Sequence, residues 1–152
     1  MTQLLTTINP EKTFDVELVK LDMLKPHEEA DSEHLRKLKE EIKSDEILNF
    51  AITVSKNENI ILDGHHRAAA LKELGCTTIP AVFVDYGSSD IEVQSWKDDI
   101  QLTKEDIMRA GMGLKKLPPK TSKHMIRIDG VLNHISAIEK RVDIPLEALR
   151  KE

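Results

Sequence analysis

Residues 61–75, ILDGHHRAAALKELG, join an apolar run to an amphipathic segment through the turn Asp63-Gly64-His65-His66-Arg67. The apolar side, with Ile60, reads as a buried strand, and the alanine- and leucine-rich side reads as a helix over 64–74. Gly75 falls where a left-handed C-terminal cap is expected. A strand running straight into a helix puts the turn at the helix N-terminus. Unpaired backbone N–H groups and the positive end of the helix dipole meet there and favour an anion. Gly64 permits close backbone approach, and His65, His66 and Arg67 add donors suited to phosphate oxygens. Asp63 is either the helix N-cap or an acid, base or magnesium ligand facing the site.

Three readings of this turn compete: a metal site, a phosphate cradle, and ordinary turn chemistry. Neighbouring helical positions point apart and clasp one ion poorly, and the chain has no HExxH or paired CxxC, so zinc fits badly. A capping Asp63 with surface histidines explains each residue singly but not the cluster. The phosphate cradle accounts for all of them together.

Around this turn the spacing predicts a mixed α+β fold. A strand is expected over 14–24, with Phe14, Val16 and Leu18 on one face, then a helix over 32–43 buried through Leu35, Leu38 and Ile42. Strands follow at 50–54, 60–62, 79–86 and 91–96. Thr103 to Asp106 resembles a capping box for a helix ending near Gly111 or Gly113. Pro118 and Pro119 keep 117–124 extended or looped. The tail from Val131 is expected to form one or two short helices, with Pro145 at a helix start. This divides the chain into a flexible N-terminus (1–13), a catalytic domain (14–130) and a C-terminal helical extension (131–152).

With 152 residues, 39% hydrophobic and 32% charged, the chain is sized for one soluble domain. Aromatics are only 3%, so the core must rest on aliphatic residues, and the single Trp96 stands out. A net charge of -5 argues against a broad nucleic-acid surface. The lone Cys76 excludes an internal disulfide and suits a reducing compartment. Residues 1–12 lack a cationic start followed by an apolar run, and no stretch approaches the roughly 18 apolar residues of a membrane span. A cytoplasmic location is expected.

Two distant segments bear on the turn. KPHE (25–28) can bring Glu28 to the mouth of the same cleft, and PPKTSKH (118–124) carries hydroxyls, lysines and a histidine on a stiffened loop. From spacing alone, each reads more simply as a solvated loop.

The DGHHR turn, its AAALKELG helix and the VFVDY strand resemble the ParB/sulfiredoxin superfamily over 14–86. With KPHE, DGHHR and PPKTSKH in that order, the closer resemblance is to the free serine kinases, SbnI-type proteins included. These phosphorylate L-serine to O-phospho-L-serine with ATP or ADP. The resemblance implies a small mixed sheet flanked by helices, and magnesium from the reaction class. It implies Glu28 as the acid/base and Asp63 as an assisting catalytic carboxylate. Gly64, His65, His66 and Arg67 would hold phosphates, with Thr121, Ser122, Lys123 and His124 closing from the second loop. His27 and Trp96 would contact the serine. The chain departs from the archaeal serine kinases in having only KDDIQL between Trp96 and Thr103, where they carry a long insertion, which implies a compact variant or a relative that keeps the phosphate site with a changed substrate. A ParB-like CTP switch is the alternative. A sulfiredoxin-like reductase would need a cysteine at His65, and Cys76 lies about 16 Å along the helix.

Overall fold

In the computed structural model, residues 14–113 and 115–150 are described. The expected flexible segment 1–13 lies outside them, as do residues 151–152. A four-stranded sheet forms the centre, ordered β1 (Val16–Lys20), β5 (Thr78–Val84), β3 (Ile52–Ser55) and β4 (Ile61–Asp63). Strands β3 and β5 run parallel, and the outer pairings are antiparallel. All four residues of β3 are buried, because the sheet is covered on both faces. Ile52 and Val54 look into one core with Ile42 of helix α1 (Ser32–Asp45) and Leu71 of helix α2 (His65–Glu73). Leu62, Val82 and Val84 look into a second core with Ile107 of helix α3 (Lys104–Gly111). That face is completed by an antiparallel sheet of β6 (Ile91–Ser95), β7 (Ser122–Ile128) and β8 (Val131–His134).

Local chemistry explains the helix ends. Asp31 caps α1 by accepting from the Glu33 and His34 amides, and Glu46 ends it in a left-handed conformation. The predicted capping box of α3 is present, with Thr103 and Asp106 exchanging side-chain and backbone hydrogen bonds. That helix stops at Gly111, where a Cβ would lie 2.8 Å from Ile60 Cγ1.

Several expected elements differ in detail. The first strand is only Val16–Lys20 and passes into a 3-10 turn at Leu21–Met23. Leu18 is 58% exposed on this edge strand, while Val19 packs on the core. The strand expected at 50–54 is two strands broken at Ala51. The first, β2 (Ile47–Phe50), leaves the main sheet to pair with β9 (Arg141–Pro145). The tail expected to be helical does contain a 3-10 helix, Ile135–Ile138, and a short helix α4, Leu146–Leu149. It also supplies β8 and β9, because Val131 to His134 pairs with β7 and Arg141 to Pro145 closes on β2. Leu146 and Leu149 are buried in the first core. Among the described residues, no helix is long and apolar enough to cross a membrane.

Leu149 is fully buried. Leu149→Ala is therefore expected to cost about 2–5 kcal/mol in urea unfolding. A loss within about 0.5 kcal/mol would mark the tail as peripheral.

Candidate functional site

The turn that opens α2 has a left-handed residue as its cap. Gly64 has φ 107° and ψ 22° and offers no side-chain cap. A Cβ on it would lie 2.3 Å from Ile52 Cγ2, so the backbone approaches the central strand as only glycine allows. Asp63 is thus not the cap. It is the last residue of β4, paired with Thr53. Helix geometry leaves the amides of His65, His66 and Arg67 without intrahelical partners. The first backbone bond is Ala68 N–H to Gly64 O, 3.0 Å.

The KPHE segment is held against this turn as an extended strip. Lys25 bridges Ile60 on one side and Glu28 bridges Leu117 on the other. His27 N–H donates to His65 Nε2 (3.1 Å) and Asp31 N–H donates to His66 Nε2 (3.0 Å). Both rings therefore accept at Nε2 and leave the Nδ1 edge as donor. Burial lowers the pKa of both, that of His65 well below the usual histidine value, with His27 and His124 adding to the effect. His66 also stacks on His34 at 4.1 Å. The two histidines are neutral struts for the KPHE loop, and of the turn's three basic side chains only Arg67 is a cation.

Glu28 ties KPHE to the second loop. Its Oε1 accepts from Lys120 N–H at 3.0 Å, and its Oε2 accepts from Ser122 N–H at 2.8 Å and from the Ser122 hydroxyl. Beneath them lies His27, fully buried, with Nδ1 2.8 Å from Ile61 O and Nε2 2.8 Å from Ser122 Oγ. His27 was expected to contact the substrate; here both ring nitrogens are engaged inside the protein.

Arg67 faces inward. One terminal nitrogen donates to Ala51 O (2.7 Å) and Phe50 O (3.4 Å), the other to Asp63 Oδ2 (3.2 Å) and Glu139 Oε1 (2.8 Å). Its phosphate-binding capacity is reduced to Nε–H, and its main effect is to hold Asp63. Glu139 also receives the Thr53 hydroxyl at 2.8 Å. Burial pushes its carboxyl up to about 8 despite Arg67, with Asp63 adding to the rise.

These groups surround a cleft of about 250 Å³ that is walled by Glu28, Asp63, Gly64, His65, His66 and Arg67, with Trp96, Ser122 and His124 also reaching it. The expected site residues thus largely converge. His124 is buried, and burial pushes its imidazole down to about 3. The Tyr86 hydroxyl lies 2.8 Å from its Nε2, while Nδ1 lies near the Leu62 carbonyl without a well-formed hydrogen bond. Trp96 is 55% exposed and carries the Lys123 ammonium 4.5 Å from its ring centre. Two residues of the second loop do not meet the cleft as expected. Lys123 lies over Trp96, and Thr121 is buried, with its hydroxyl donating to Pro118 O at 2.6 Å. The cleft cation of that loop is Lys120, which was part of the PPKTSKH motif but not of the expected set. His34 and His134 also line the cleft, so all six histidines of the chain are in or directly beneath it. A larger cavity of about 450 Å³, lined by Phe14, Lys56, Asp85, Arg127 and Asp129 among others, contains no histidine and no helix N-terminus.

Residues 5–95 match the ParB N-terminal domain family, and the chain belongs to it. It is 34% identical over 113 residues to the ATP-dependent L-serine kinase of Desulfurococcus mucosus, covering 69% of this chain and 44% of that protein. It is 30% identical over 122 residues to the ADP-dependent L-serine kinase SerK of Thermococcus kodakarensis, covering 75% of this chain and 50% of that protein. The chain therefore spans about half the length of these curated relatives. A solved free serine kinase in complex with AMP has the same fold, with a TM-score of 0.73 and 20% identity over 89% of this chain and 93% of that one.

Gly64→Ala is expected to destabilise the fold by about 1–3 kcal/mol, from positive φ and the Ile52 contact together. Wild-type stability would contradict this packing. The raised Glu139 carboxyl has a defined pH signature. The folded state holds its proton more tightly than the unfolded chain, so its contribution declines as pH rises from 4.5 to about 8. Glu139→Gln is expected to flatten that part of the Tm-against-pH curve; an unchanged slope would contradict the shift.

Proposed function

We propose that this chain transfers a phosphoryl group from ATP or ADP to the hydroxyl of free L-serine, giving O-phospho-L-serine. The carrying observation is Glu28, fixed by backbone donors of the second loop, in a cleft that also receives the uncapped N-terminus of α2. The relatives named L-serine kinases support this reaction and both donors.

Phosphoryl transfer depends mainly on positioning and on neutralising phosphate charge. The amides of His65, His66 and Arg67 supply directed donors, Gly64 lets the phosphates come close, and Lys120, whose ammonium lies 3.7 Å from Asp31, supplies a cation. His124, held by the Tyr86 hydroxyl, supports the cleft from beneath. From behind, Thr121 fixes the loop turn and Lys123 steadies Trp96. Serine lies along Trp96 with its hydroxyl toward Glu28. As the serine oxygen–phosphorus bond forms and the bond to the nucleotide's bridging oxygen breaks, the hydroxyl proton passes to Glu28. Asp63, oriented by Arg67, faces the phosphates.

Magnesium fits this arrangement in one form. Among the described residues no group of three His, Cys, Asp or Glu side chains is placed to hold a metal ion alone. A nucleotide-borne Mg2+ needs only one or two protein carboxylates, and Asp63 is the available one. When bound, it supplies charge neutralisation at the phosphates. A cytoplasmic setting, where free nucleotide and serine coexist, goes with this reading.

Incubation with L-serine, Mg2+ and either ATP or ADP is expected to give O-phosphoserine by mass spectrometry. Glu28→Gln should lower the rate by about 100-fold or more while nucleotide affinity changes little. No product with either nucleotide from folded protein would end this reading. DNA retention on addition of CTP would instead favour a nucleotide-gated switch.

A further inference from the structure

His27 is the one fully buried histidine with both ring nitrogens in short hydrogen bonds, and the proton count around it is informative. The Ile61 carbonyl can only accept, so the 2.8 Å contact puts a proton on Nδ1. Nε2 faces Ser122 Oγ at 2.8 Å, and the same oxygen contacts Glu28 Oε2. Two hydrogen bonds in series take two protons, and the Ser122 hydroxyl supplies one. With Glu28 ionised and His27 neutral only the Ser122 proton is present, so the two contacts have room for one more, either on Glu28, which then donates to Ser122, or on His27 Nε2. The neighbouring hydroxyl of Thr121 is turned to Pro118 O and takes no part.

We propose that Glu28, Ser122 and His27 form one proton-accepting relay. The relay rests on the kinase reading for the source of its proton. Glu28 takes the proton from the acceptor hydroxyl and donates it to Ser122 Oγ, while Ser122 gives its own proton to His27 Nε2. Glu28 returns to carboxylate, and the positive charge ends on an imidazolium outside the cleft.

On balance burial lowers the His27 pKa and its neighbours only partly offset this, so the imidazolium is a short-lived end state. Burial opposes charge on His27, whereas the Glu28 carboxylate, 3.8 Å from Nε2, and the Ile61 carbonyl favour it. The other titratable rings against it are His65 at 4.5 Å and His124 at 5.6 Å. Burial keeps both neutral, with Lys116 facing His65 and Lys104 and His134 facing His124 from further out. The relay moves the proton away from the phosphates, so Glu28 need not retain it beside the departing product.

The test combines kinetics with a spectroscopic readout independent of turnover. His27→Gln and Ser122→Ala are each expected to lower kcat by about 10–100-fold. The KM for serine should stay within roughly twofold. Ser122→Thr, which keeps the hydroxyl, should recover most of the rate. The proton inventory of kcat in H2O/D2O mixtures should be curved in the wild type and linear in Ser122→Ala. By 15N NMR, His27 should be the Nδ1–H tautomer, and Glu28→Gln should lower its titration midpoint. Wild-type kcat in His27→Gln, a linear wild-type inventory, an Nε2–H tautomer, or a midpoint indifferent to Glu28→Gln would each overturn the relay. If the wild type makes no phosphoserine, the kinase reading fails, and the two NMR results alone decide whether Glu28 and His27 share a proton.

Discussion

Two backbone N–H groups of the loop before α1 end on ring nitrogens at the start of α2: His27 on His65 and Asp31 on His66. Glu28 lies between those anchor points. Its position is therefore set by the same helical turn whose free amides face the cleft. The second loop is fixed in turn, because Glu28 accepts from the amides of Lys120 and Ser122. Carboxylate, helix start and second loop form one mechanical unit that depends on the two imidazoles accepting.

That requirement explains the electrostatics. A ring that must accept at Nε2 cannot be an imidazolium, and burial holds His65 and His66 in the neutral form. His124 is neutral for the same reason. Arg67 spends its terminal nitrogens on Ala51, Asp63 and Glu139. Attraction for an anion thus comes chiefly from the helix N-terminus and from Lys120, in a chain whose net charge is -5. Oriented backbone contributes more to that attraction than side chains do, because the Glu28 and Asp63 carboxylates offset the side-chain cations. Buried cations would carry a desolvation cost that backbone dipoles avoid.

Much of this was legible before the fold was known. The strand-to-helix turn, the glycine that lets it approach, the first helix with its Leu35, Leu38 and Ile42 stripe, and the Thr103 capping box all follow from local patterns. The convergence of KPHE, DGHHR and PPKTSKH was not readable from spacing alone. It depends on the parallel bridges of Lys25 to Ile60 and Glu28 to Leu117, which join segments far apart in sequence. Glu139 gave no local signal, being 72 residues from the Arg67 it binds. Asp63 has the composition of an N-cap, yet strand pairing with Thr53 takes it, and left-handed Gly64 caps in its place. The tail failed for a related reason. Its short alternating segments become strands only because β2 and β7 offer them edges.

The central claim is that the start of α2, with the Glu28 loop fastened to it, is where the nucleotide phosphates bind. The most direct measurement is a backbone amide NMR titration with ADP. The account predicts the largest shifts at Gly64, His65, His66 and Arg67, with a second set at Lys120 and Ser122. Shifts centred on Asp85 and Arg127 to Gly130, around the larger cavity, with the α2 amides unmoved, would contradict it.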